Sequence, residues 1–89
     1  MDKLKQKTDQ YESLLDLGCQ EATVVDETAE IGHECKSMAE AYLADGKHFR
    51  REGDDVTALA AFSYGHGWLD AGIRIGVLDG TEEGDLFAN

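Results

Sequence analysis

The chain has 89 residues, 42% of them apolar and none of them proline, a length that holds one hydrophobic core and no second one. Nineteen Asp and Glu against eight Lys and Arg give a formal charge of −11, which repels phosphate backbones and anionic lipid headgroups alike. No nucleic-acid partner and no membrane partner is therefore expected.

Helical spacing dominates, and no stretch shows the sustained period-2 alternation of a half-buried strand. Leu4, Tyr11, Leu14 and Leu15 predict a short amphipathic first helix with Gly18 as its stop. Cys19 to Val25 reads as a linker, and Asp26 as the N-cap of the next helix. There Ile31, Cys35, Met38, Tyr42 and Phe49 step by four, three, four and seven, which predicts one buried stripe. Glu30, His33, Glu34, Glu40, Lys47 and Arg51 fall off it.

Gly53 and Asp54 supply a stop and an N-cap, so a tight turn should return the chain antiparallel as a third helix from about Asp55 to Leu78. Residues Val56 to Leu69 contain no Asp, Glu, Lys or Arg and mark the centre of the core. Ser63, His66, Gly67, Asp70 and Arg74 share a narrow polar arc of this helix. Glycines 65, 67, 72 and 76 would each cost about 1 kcal/mol inside a helix. Close helix contact along Ala58, Ala61, Gly65, Gly72 and Gly76 offsets that cost, and Gly65→Leu should disrupt the fold more than Gly32→Leu. The fold class is all-α: a three-helix bundle with a short first helix packed on a long antiparallel helical hairpin. Residues 1–80 form the single domain and 81–89 a mobile acidic tail, from which Leu86 and Phe87 could dock.

The acidity is spread along the chain, as a solvating coat suited to a halophilic cytoplasm. No apolar run reaches the roughly 18 residues of a spanning helix, and Met1-Asp2-Lys3-Leu4-Lys5 lacks a secretory apolar region, so a cytoplasmic location is expected. Cys19 and Cys35 have neither the density of a disulfide scaffold nor CxxC spacing, and read as free thiols with Cys35 in the core.

Tyr42, Gly46, Phe49, Gly53, Ala58, Phe62 and Gly65 have a spacing similar to one tetratricopeptide repeat. Asp45 departs from it where a large apolar residue belongs, and one copy stands where stacking needs three or more. The pattern reads as a convergent hairpin solution. A narrower match lies in Met38-Ala39-Glu40-Ala41-Tyr42-Leu43-Ala44-Asp45-Gly46-Lys47-His48-Phe49, then Gly53-Asp54, then Ala58 through Gly72 with its Ser-Tyr-Gly-His-Gly-Trp-Leu-Asp-Ala-Gly run. These residues resemble an archaeal family known as domain of unknown function 357, from about Ile31 to Leu78 and more weakly around Tyr11 to Leu15. The resemblance implies a small cytosolic archaeal three-helix bundle and carries over no activity, cofactor or catalytic residue.

Glu30 and His33 have the Glu-x-x-His spacing of di-iron bundles, but the third helix offers only His66 with Asp70, so neither a metal nor another cofactor is expected. Burial of Cys35 raises its thiol pKa and argues against a nucleophile, and the next histidine after Arg51 is His66, too far for a helical ribonuclease motif. No catalytic residue is assigned. The one candidate site is Asp45, His48, Tyr64, His66, Trp68 and Asp70 along the hairpin seam. It reads either as a small-ligand pocket with Trp68 as a stacking wall, or as polar groups satisfied singly, Asp70 by Arg74 four residues on.

Two functions follow: a non-enzymatic helical protein-interaction module, or a small-ligand or metal-binding enzyme using those seam residues. The apolar arc of the third helix exceeds the cover that the first supplies. Leu69, Ile73, Ile75, Val77 or Leu78 is then either covered by a second copy, as a homodimer, or overlaid by the linker around Val24 and Val25 with Leu86 and Phe87.

Overall fold

The computed structural model describes residues 2–25 and 29–80; the expectations for Asp26 and for residues 81–89, Leu86 and Phe87 included, lie outside them. Helix α1 spans Lys3–Glu21, α2 Ala29–Arg51 and α3 Asp55–Arg74, and the three pack as an all-α bundle. Its largest interface is between α2 and α3, with α1 laid across both.

Asp2 caps α1 by accepting from the Lys5 backbone N–H at 3.1 Å. The helix passes through Gly18 and ends three residues beyond the stop that the sequence suggests, with Gly18 on its buried face. Thr8, Leu15, Gly18 and Cys19 form its buried face. The chain turns extended at Ala22, whose carbonyl accepts from Lys36 Nζ at 2.7 Å, a cation placed on the negative end of α1.

Along α2 the contact line is Gly32, Cys35, Ala39, Leu43 and Gly46. It is rotated from the expected stripe: Met38, Tyr42 and Phe49 are half-buried and Ile31 is 56% exposed. Small residues take the line because they let α3 approach, and the Phe62 ring lies directly over Gly46.

Gly53 has φ of +81°, a conformation that glycine adopts freely. Its N–H donates to Arg50 O at 3.0 Å and that of Asp54 to Phe49 O at 2.9 Å, a Schellman turn that closes α2 while Asp54 caps α3 through Thr57 N. A second such turn ends α3 four residues before the expected Leu78, with Gly76 at φ +86°, Gly76 N–H donating to Ile73 O at 3.2 Å and Val77 N–H to Gly72 O at 2.9 Å.

The chain then runs back along α1's exit. Thr23–Val24 (β1) pairs antiparallel with Leu78–Asp79 (β2), in the register Thr23 with Asp79 and Val24 with Leu78. This ladder, too short to show in the sequence, leaves Val77 and Leu78 buried, so the segment at Val24 and not a second copy covers this flank. Leu69 is buried too and Ile73 half-buried, so of that flank only Ile75 is exposed.

Candidate functional site

The six seam residues do not converge on one cavity. At 100° per residue, Tyr64 and Trp68 lie near one side of α3, while His66 points the opposite way. Tyr64, 65% exposed, stacks on Tyr42 of α2 with centroids 5.5 Å apart, and together with Trp68 it lines a shallow groove of about 340 Å³ floored by Ser63, Gly67 and Ala71. His66 turns to α1, where its Nε2–H donates to the Tyr11 carbonyl at 3.0 Å and its ring meets the Tyr11 ring edge-on at 5.3 Å. Burial holds the imidazole pKa below its ordinary value, against the opposing pull of the Tyr11 carbonyl. Both Asp70 carboxylate oxygens accept from Arg74 Nε at 2.9 Å. Asp45 and His48 are exposed on α2, the latter with its ring edge toward Phe49.

Among the described residues no group of three His, Cys, Asp or Glu side chains could hold a metal ion. Cys19 and Cys35 are free and buried. Burial, with Glu40 adding to it, pushes the Cys19 thiol up to about 11, and burial raises Cys35 as well, so both are thiols rather than thiolates near neutral pH.

Sequence reasoning missed the electrostatic centre of the molecule. Arg50 on α2 reaches Asp9 and Glu12 on α1, the latter at 2.9 Å, and Asp55 on α3 at 3.8 Å. Lys47, one turn earlier, pairs with Asp16 at 3.7 Å. Arg50 holds the Asp9 carboxyl below its ordinary pKa. The signal was available as two cations three apart on α2 facing Asp9, Glu12 and Asp16 on α1, but such pairing shows only once the helices are docked. The arrangement locks three helices together and leaves the guanidinium engaged, so it is a structural clamp.

The remaining surface is the outward face of α3. Val56, Tyr64 and Ile75 are each about two-thirds exposed, and Ala60, Gly67 and Ala71 between them are exposed too. No charged residue occurs from Val56 to Leu69, in a chain of net charge −11. Gly67 sharpens the point, since a side chain there would meet nothing within 4 Å. A mid-helix glycine costs about 1 kcal/mol relative to alanine, and unlike Gly65 and Gly72 this one receives no neighbour among the described residues.

A family described as "Protein of unknown function (DUF357)" matches residues 10–78. The chain belongs to the DUF357 family. The matched span runs from α1 through all of α2 and α3 to Leu78, so the Arg50 clamp, apart from Asp9, and the outward face of α3 both lie within the DUF357 region. No curated protein and no solved structure matches the chain.

Proposed function

We propose that this DUF357 protein is a non-enzymatic helical interaction module that docks a protein on the outward face of α3. The observation that carries this reading is the charge-free, exposed stretch of α3 in a chain of net charge −11. Solvent exposure of Val56, Tyr64 and Ile75 along one face leaves apolar area that association removes from water. The acidic coat suits a salt-rich archaeal cytoplasm, where screening lets such a face meet its partner. The seam polar residues support a separate ligand site less well, because His66 and Asp70 are engaged within the fold and only Tyr64 and Trp68 share a groove.

A photo-crosslinking side chain in place of Tyr64, compared with one in place of exposed Glu40 on α2, tests the reading in cell extract. Defined protein adducts at position 64 and none at 40 are expected. Absence of adducts at 64, or equal labelling at both, overturns it.

A further inference from the structure

We infer that the partner on this face is a second copy of the chain, bound with the two α3 helices antiparallel about a two-fold axis between Gly65 and His66. The inference rests on the interaction-module reading and names the partner for it. Its basis is that six exposed positions on one side of α3 and its C-cap are spaced symmetrically about that point.

About the midpoint of positions 65 and 66, Val56 mirrors Ile75, Ala60 mirrors Ala71 and Tyr64 mirrors Gly67. At 100° per residue all six lie within about 50° of one line along the helix, with Ala60 and Ala71 nearest that line. A two-fold contact requires this kind of self-complementary patch. In the antiparallel register each bulky side chain meets a small one. Tyr64 lies level with the partner's Gly67, the one position of α3 where a side chain is missing and nothing within the described fold fills the gap. Ala60 and Ala71 let the helix axes approach, and Val56 and Ile75 close the two ends.

Charge agrees with the same direction. Asp54 caps α3 and Asp55 lies in its first turn, whereas Arg74 in the last turn is paired with Asp70, so an antiparallel pair keeps the two acidic N-terminal ends apart and opposes the helix dipoles. A parallel pair would set acid against acid.

The contact is small. From Val56 to Ile75 the strip is about 28 Å long and about 12 Å wide, roughly 340 Å² on each copy. That is in the class of weak, transient interfaces, and the repulsion of two chains of charge −11 weakens it further at low salt.

Sedimentation equilibrium of the full chain in about 2 M KCl, where screening is nearly complete, tests the inference. The weight-average mass should rise by at least about 1.3-fold between about 10 µM and about 1 mM, as expected of a contact of this size. Gly67→Glu, at a position with open space around it, should keep the helical circular dichroism and abolish the rise. Register is read separately. Ala60→Cys and Ala71→Cys chains, mixed and gently oxidised, should give chiefly the mixed 60–71 disulfide dimer, because antiparallel packing sets position 60 level with position 71 of the other copy and leaves like positions about 16 Å apart along the axis. A wild-type mass independent of concentration, or same-position disulfides forming as readily as mixed ones, overturns the inference. Adducts at position 64 with a different protein, beside a strictly monomeric chain, would leave the docking face standing and reject only the second copy.

Discussion

At the scale of single residues, three glycines separate packing from exposure. A Cβ at Gly65 would lie 2.6 Å from Leu15 Cδ2 and 3.3 Å from Tyr42 Cβ, and one at Gly46 would enter the Phe62 ring. Gly65→Ala and Gly46→Ala should each destabilise by about 1 to 3 kcal/mol, whereas Gly67→Ala should gain about 0.5 to 1 kcal/mol because only backbone entropy changes. Urea midpoints of the three variants at low protein concentration check the opposite signs. The close-contact role of Gly65 and Gly72 was legible from the small-residue stripe. That of Gly32 was not: its Cβ would sit 2.6 Å from Val77 O and 2.7 Å from Val24 Cγ1, atoms brought there by a long-range strand pair, so Gly32→Leu is no milder control for Gly65→Leu. His66 supplies a pH dependence. Its folded pKa is depressed below 6.5, so the unfolded chain binds the proton more readily. Stability from this group is complete above about pH 6.5 and declines as pH falls from there toward the folded value. His66→Gln, which keeps a donor for the Tyr11 carbonyl, should show a smaller loss of melting temperature between pH 7.5 and pH 5.5 than wild type. An equal loss would place the titration elsewhere.

Between elements, what holds α1 differs from what holds the hairpin. The α2–α3 hairpin turns at Gly53 and Asp54, a local signal that could be read from the sequence, whereas the contact line of α2, where Gly46 receives Phe62, and the second Schellman turn at Gly76 could not. α1 is fixed by Leu15 and Cys19 below and by the carboxylates that Arg50 gathers. Neither its full length nor its electrostatic attachment was legible, because Gly18 in a helix is recognised only from the neighbour that packs on it. A two-residue strand is likewise too short to display alternation, which hid the β1–β2 ladder. The candidate site fared similarly: the i,i+4 pair of Asp70 and Arg74 is local and could be anticipated, whereas the turn of His66 toward α1 is a tertiary fact. Arg50→Gln leaves Glu12 and Asp55 without their cation and removes one of the two that Asp9 contacts. Amide exchange should then accelerate across α1 by about tenfold or more, with a smaller change in the centres of α2 and α3. Uniform acceleration of all three helices would show that α1 unfolds only with the whole.

Across the whole molecule, the balance of charge decides how stability responds to salt. The sequence holds nineteen acidic residues against eight basic ones, and among the described residues Lys5, Lys36, Lys47, Arg50 and Arg74 are already engaged in specific contacts, so an excess of negative charge is left to repel itself. Salt acts on both populations. The Debye length shortens from about 10 Å at 0.1 M to about 3 Å at 1 M, which removes repulsion between groups several turns apart while leaving contacts near 3 Å partly intact. The ion pairs that would be lost are largely exposed, such as Lys5 with Asp9, and exposed pairs of this kind are worth about 0 to 1 kcal/mol each. The repulsive sum should therefore win, and the melting temperature should rise between 0.1 M and 2 M KCl. General strengthening of apolar burial by salt would give the same sign, and charge removal separates the two. With exposed Glu34 and Glu40 both changed to Gln, the low-salt melting temperature should increase and the gain from KCl should shrink. An unchanged gain in that variant would assign the effect to solvent, and a wild-type melting temperature that stays level or falls in KCl would show that the Arg50 clamp outweighs the repulsion around it.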